Sequence, residues 1–228
     1  MPALYRGPKR GYTLTDYDRL VLAASLWGEA GSSPDEKEAA AVAWAMLDRF
    51  LLFNSRWVSE GWDFARFIRA FSQPVNPTWA YPDEARMAKH PEACTPDKLA
   101  RRRKLQGYLD GSVHDGWARI LMDAPIPAKY ALAFAEGELA DPFPEPIYDF
   151  AACSLTAKQK ASGSRPGSGI NIGGNCFLTY NDLNTKERER VIVGRVQSGV
   201  AAYASGAVFA VLGLIGATAA WAWGRFYS

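Results

Sequence analysis

Histidine and cysteine are scarce: the chain of 228 residues holds two of the first and three of the second. They form no His-Glu-x-x-His or Cys-x-x-Cys pattern, and the acids form no calcium-loop spacing, so no metal centre and no cofactor is expected. Cys94, Cys153 and Cys176 are odd in number and far apart, which does not suggest a disulfide framework. An excess of either charge is also missing. The 26 Lys and Arg stand against 24 Asp and Glu, a net charge of +2, well short of the basic surplus that marks a nucleic-acid binder. The amino end, MPALYRGPKRGYTLTDYD, lacks the apolar core of a secretory signal. No internal repeat is visible.

What is present is an ordinary globular composition, 48% hydrophobic and 22% charged, with 20 Gly, 14 Pro, 8 Trp, 10 Tyr and 11 Phe. It suits a ligand-binding domain with many turns and aromatic walls. One long apolar run stands at the end. No charge occurs from Val196 to Gly224, which exceeds the roughly 20 residues that span a bilayer. Trp221 and Trp223 at one end and Tyr203 at the other suit the membrane interfaces. Gly206, Ala210, Gly213 and Ala217 supply small residues at helical spacing, the kind that lets helices pack closely and self-associate. The expected organisation is an arm over 1–14, a domain over 15–183, and an amphipathic linker helix over 184–228 that runs into a transmembrane helix at about 198–224. Lys186, Arg188, Arg190 and Arg195 precede the apolar run and Arg225 follows it, so the positive-inside rule places the domain in the cytoplasm.

Within the domain the pattern is mainly helical. Thr15 with Asp18 reads as a cap and its partner, opening a helix to about Gly28 with Leu20, Ala24 and Trp27 on one face. Ser33-Pro34-Asp35-Glu36 reads as a second start, with Ser33 as cap, Pro34 in the first turn and Glu36 closing a capping box. Ala39, Val42, Ala43, Met46, Leu47, Phe50 and Leu51 then recur at three-to-four spacing and predict a core face. A third helix is expected over Trp62–Phe71. The prolines of Phe71–Trp79 (FSQPVNPTW) argue against helix there. Thr95-Pro96-Asp97 opens a helix reaching Leu109, whose run Arg101–Lys104 reads as a solvated face, with a salt-dependent attraction for anionic polymers as the alternative. Gly116–Met122 predicts a short helix. Gly137–Asn175 reads as loop, with short strands at Ile147–Ala152 and Asn175–Tyr180, and GSGINIGG as a flexible cleft loop.

The candidate chemistry centres on Glu29. It ends an apolar helix, beside Trp27 and between glycines. The negative end of the helix dipole and partial burial both disfavour its charged form, which raises its pKa towards what a general acid needs. Asp48, Asp83 and Glu84 are the candidates for a second carboxylate, though none stands in a motif. Cys176 as a nucleophile has only His90 and His114 as partners, neither in a motif, so a buried free thiol is the simpler reading.

The stretch Glu29-Ala30-Gly31, the Ala- and Val-rich helix after it ending in Asp48-Arg49, then Phe71-Ser72-Gln73 and Gly173-Gly174-Asn175-Cys176-Phe177, resemble the SleB-type cell wall hydrolases of the lysozyme-like lytic transglycosylase superfamily. The arginine usual after Glu-Ala is absent here, and Leu178 stands where a second aromatic is expected. The resemblance implies a lysozyme-like helical domain with a few short strands, acting on peptidoglycan glycan strands. Glu29 would protonate the oxygen of the β-1,4 bond between N-acetylmuramic acid and N-acetylglucosamine. As base it would then take the muramyl C6 hydroxyl proton, giving a 1,6-anhydro product. Ser72 and Gln73 would hold the sugar by hydrogen bonds, and Trp79, Phe177 and Tyr180 would offer apolar faces. Asn175 would bind sugar or serve as a turn residue. A wall enzyme without an export signal and with an apolar tail fits a phage protein, membrane-associated and acting in the periplasm, carried in the virion or released at lysis. Its expected partners are glycan strands, the bacterial membrane, and further copies of itself or other virion proteins. The alternative is a structural virion or membrane-channel protein that keeps the domain for wall binding without turnover.

Overall fold

Thr15 opens helix α1 (Asp16–Ala30) as its spacing predicts: its hydroxyl accepts from the Asp18 N–H at 3.1 Å, and the Asp18 carboxylate accepts from the Thr15 N–H at 2.8 Å. The computed structural model describes residues 12–53, 60–152, 169–179 and 182. Helix α2 (Glu36–Asp48) starts later than Ser33 suggests. Asp35 is the cap and its carboxylate accepts from the Glu38 N–H at 2.7 Å. A carboxylate at the positive end of the helix dipole outcompetes a hydroxyl, which leaves Pro34 outside the helix. Leu20–Leu26 of α1 and Ala39–Asp48 of α2 are buried without a break. A helix that is closed to water on every side is an interior one, and these two form the centre of the core. Of the predicted core face only Leu51 remains partly exposed. The end of α2 widens into a π-helical turn, Arg49–Phe53.

Around this pair stand the other helices described: α3 (Phe64–Phe71), α4 (Pro77–Ala80), α5 (Glu84–Lys89), α6 (Pro96–Leu109), α7 (Val113–Asp123) and α8 (Pro125–Glu136). α1 packs against α2, α3, α6, α7 and α8. Phe71–Trp79 is not free of helix: a 3₁₀ turn, Gln73–Val75, and α4 both lie in it. Its prolines sit at the first helical positions, where the missing N–H costs nothing. α8 begins with two prolines for the same reason, and no side-chain cap announces it.

The sheet is small. β1 (Ile147–Ala152) and β2 (Ile170–Ile172) flank β3 (Asn175–Thr179), all antiparallel. So part of the expected cleft loop, Ile170–Ile172, is strand, and Gly173 turns it into β3 at φ 57°. A Cβ at Gly173 would stand 2.2 Å from Glu38 Oε1, so the turn seats on the start of α2. Cys176 of β3 is disulfide-bonded, not the free thiol expected, and Cys94 is free.

These residues form a mainly helical fold with one three-stranded sheet. No helix among the described residues is long and apolar enough to cross a membrane. The arm over 1–11 and the expected membrane segment at 198–224 lie outside the described residues.

Asp18 couples the first helix to the third. Fully buried, it also accepts from the Ala65 N–H at 2.7 Å and the Tyr12 hydroxyl at 3.1 Å. Asp18→Ala strands a buried N–H and removes a cap, an expected loss of about 3 kcal/mol. A shift in the urea unfolding midpoint measures it, and an unchanged midpoint counts against the coupling.

Candidate functional site

The site is built where α1 runs out. Trp27-Gly28-Glu29-Ala30 closes the helix, and Gly31 at φ 90° stops it. Gly28 has a steric reason. A Cβ there would lie 2.0 Å from Pro74 Cβ, so only glycine lets the Ser72–Pro74 turn rest on the last turn of α1. That contact carries Ser72 to Glu29. The Ser72 hydroxyl donates to Glu29 Oε1 at 2.8 Å. Ser25, one helical turn before Glu29, lies 2.8 Å from the Ser72 Oγ. Since the single Ser72 hydrogen goes to the carboxylate, Ser25 donates to Ser72. Hydroxyls can reverse. With Glu29 protonated, Ser72 can donate to Ser25, and Ser25 to the Met46 sulfur 3.6 Å away. Both protonation states of Glu29 are thereby provided for.

Burial pushes the Glu29 carboxyl above the ordinary glutamate range. The Ser72 hydrogen bond and the Arg49 and Arg102 charges pull it back, and Asp149 adds a smaller push upward. The shift has the sign that the position at the end of α1 predicts.

Glu29 opens onto a cleft of about 610 Å³. Phe67, Ile68 and Phe71 of α3 line it, with the Ser72–Pro74 turn, the α6 residues Lys98, Arg101 and Arg102, and the β1 residues Asp149 and Phe150. The turn is bolted to α6. Gln106 Nε2 donates to the Val75 carbonyl at 2.9 Å, and Arg102 Nη2 to Gln73 Oε1 at 3.3 Å. β1 is fixed by the end of α2. The buried Asp48 carboxylate accepts from the Ile147 N–H at 2.8 Å, and Arg49 pairs with Asp149 at 2.8 Å. The register of β1 against β3 slips between Ile147 and Asp149. Such a bulge re-aims the following side chain, and here Asp149 lines the cleft.

Of the expected site residues, Glu29, Ser72, Gln73 and Asn175 come together around this cleft. Phe177 does not. It is fully buried and stacks under Phe150 at 5.4 Å, so it supports a cleft aromatic and cannot itself face a sugar. Trp79 is not part of the cleft lining either. Its ring is occupied by Arg86 at 5.0 Å, Arg102 at 5.6 Å and His90 at 5.5 Å. Tyr180 lies outside the described residues. Asp48 holds β1, Asp83 caps α5 with a 2.7 Å bond from Arg86 N–H, and Glu84 stands in the first turn of α5; none of the three lines the cleft. The carboxylate that lines the cleft beside Glu29 is Asp149, which no motif marks. Its only signal is a lone acid inside the apolar strand IYDFAA. Arg101 and Arg102 are not a solvated face. They line the cleft with Lys98 and Leu105, at the 98, 101, 102, 105 spacing of one helix stripe. Among the described residues no group of three His, Cys, Asp or Glu side chains is placed to hold a metal.

No protein-family model matches the chain, and comparison with curated proteins and with solved structures returns no match.

Two outcomes follow from this geometry. Gly28→Ala forces the turn away from α1 and is expected to cost about 1–3 kcal/mol, as overpacking does. A thermal melt reads the loss, and the same stability as wild type would mean that the contact yields freely. Ser72→Ala removes a hydrogen bond that favours the charged form, so the Glu29 pKa is expected to rise further. A carboxyl-carbon NMR titration measures it, and a fall would contradict the role assigned to Ser72.

Proposed function

We propose that the chain is a lysozyme-like glycosidase, in class an acid-catalysed cleaver of glycan strands. Its particular reaction, on this reading, is scission of the β-1,4 bond between N-acetylmuramic acid and N-acetylglucosamine in peptidoglycan. The observation that carries the reading is Glu29: a half-buried carboxyl of raised pKa, hydrogen-bonded to Ser72, at the edge of a cleft of about 610 Å³. A carboxyl that holds its proton above the usual glutamate range is suited to protonate a glycosidic oxygen. Phe71, which is 41% exposed, and Phe150 supply apolar surface for sugar rings. The Gln73 amide and Asn175 supply hydrogen bonds.

Once the leaving oxygen has taken the Glu29 proton, the resulting carboxylate is stabilised by Ser72, Arg49 and Arg102. It then serves as base for the muramyl C6 hydroxyl, and ring closure gives the 1,6-anhydro product. Asp149 favours a second course. A carboxylate beside the same cleft, paired with Arg49 at 2.8 Å, stabilises positive charge at the sugar or orients a water, as two-carboxylate hydrolases do. The setting proposed is opening of the bacterial wall in phage entry or lysis, with the apolar 196–224 stretch as the membrane-associating part. Its support is the sequence alone, and its test is detection of the protein in purified particles.

The chemical test uses full-length protein, purified peptidoglycan and mass spectrometry of the products. Glu29→Gln is expected to lower the rate by about 100-fold to 10,000-fold, the usual contribution of a general acid. Anhydromuropeptides identify the transglycosylase. Reducing-end muropeptides identify hydrolysis, and Asp149→Asn should then lose activity as well. Absence of any product from folded wild-type protein rules the glycosidase out and leaves the non-catalytic wall-binding role.

A further inference from the structure

Charge around the cleft does not balance. Two carboxylates line it, Glu29 and Asp149, against four cations, Arg49, Lys98, Arg101 and Arg102. Arg49 is spent on Asp149. Arg102 is nearly buried and is spent on the fold, donating to the Ala93 carbonyl at 2.6 Å and to Gln73. Lys98 and Arg101 remain, one helical turn apart on α6. Lys98 Nζ donates to the Glu92 carbonyl at 2.7 Å, and Arg101 Nη2 to the Trp27 carbonyl. Neither has a carboxylate partner among the described residues. Arg101 Nε is shut off from solvent without a hydrogen-bond acceptor. With Nε sealed in, an arginine that lines the cleft over the Trp27 ring at 5.5 Å, without a carboxylate partner, has its Nη end to offer a planar anion.

We propose that the Lys98–Arg101 stripe of α6 is an anion subsite that takes a carboxylate carried by the muramyl residue next to the scissile bond. The inference rests on the glycan-cleaving reading and narrows it: the enzyme prefers a carboxylated glycan to a neutral one. The shared chemistry is a carboxylate on a sugar substituent. It has two sources, the lactyl ether of a peptide-free strand and the stem peptide of a substituted one. Arg101 supplies donors from its Nη end, Lys98 a second charge, and the nearly buried Arg102 a fixed field.

The test measures binding by calorimetry with the full-length chain in nonionic detergent, carrying Glu29→Gln to prevent turnover. The probes have equal length: a neutral N-acetylglucosamine oligomer, a peptide-free glycan with free lactyl carboxylates, and the same glycan bearing stem peptides. At least one carboxylated probe is expected to bind about 10-fold or more tighter than the neutral one, the weight of one charge-assisted hydrogen bond. Which one binds tighter names the carboxylate. The advantage should shrink as salt rises and vanish when Lys98→Gln and Arg101→Gln are added. The salt series needs no variant of α6, so it stands even if that variant misfolds. Equal affinity for all three probes, or an advantage that survives the double substitution in a folded protein, overturns the subsite and leaves the glycan reading intact. Binding of none overturns the glycan reading itself.

Discussion

The contact between Gly28 and Pro74 is the constraint on which the site depends. It is a contact of backbone-scale closeness, since even a methyl group on Gly28 would overlap the proline ring. It joins two segments that the chain keeps far apart, the last turn of α1 and the first residues after α3. The polar contacts of Glu29 and Gln73 follow from it. Ser72 reaches Glu29 because Pro74 sits on Gly28. Gln73, next along, meets Arg102 because the same turn is fastened to α6 through the Val75 carbonyl. The 3₁₀ geometry of that turn has few alternatives once proline fixes its φ. Two residues without much chemistry of their own thus place the ones that have it.

Burial of Glu29 has a thermodynamic consequence. A carboxyl whose folded pKa is raised binds its proton more tightly in the native state than in the unfolded chain. Its contribution to stability is therefore full below the ordinary glutamate range and is lost as pH rises through the raised value. The acid strength of the site is set against the stability of the fold, a conflict common where groups are held for function. The hydroxyl chain from Ser72 through Ser25 to Met46 moderates it. It keeps the ionised carboxylate hydrogen-bonded, and it has a second direction for the protonated one.

Much of the fold was legible because it rests on local chemistry. Thr15 and Asp18 form the predicted box, the apolar spacing of α2 marks a core helix, and β1 falls at Ile147–Ala152 as read. The failures share a cause. Prolines were read as helix breakers where they are helix starters, because their effect depends on position in the turn. The resemblance implies Phe177 and Trp79 as sugar platforms, yet exposure is a tertiary property; one lies under Phe150 and the other under arginines. Asp149 was missed because its place in the cleft depends on a slipped register between β1 and β3, and a bulge leaves no mark in spacing. Glu29, Ser72 and Gln73, which the resemblance groups together, line one cleft. The place of Arg101 in the cleft lining is not legible, because a basic run on a helix looks the same in sequence whether it meets water or a cleft.

Asp48 and Arg49 divide one task between neighbouring residues. Asp48 faces inward and takes the first N–H of β1, which fixes where the strand begins. Arg49, the first residue of the π-helical turn, takes the Asp149 carboxylate two residues along the strand. A regular α-helix turns each residue about 100° from the last, so adjacent side chains diverge. The widened turn at the end of α2 is where the two can both serve β1. The strand is therefore held to the helix at two points, one by a neutral donor and one by an ion pair. The ion pair is the one that lines the cleft. A substrate carboxylate drawn in by α6 would compete with Asp149 for Arg49, whereas the Asp48 bond, fully buried, would not feel it. The buried Asp48 bond thus fixes strand position apart from any change of charge in the cleft.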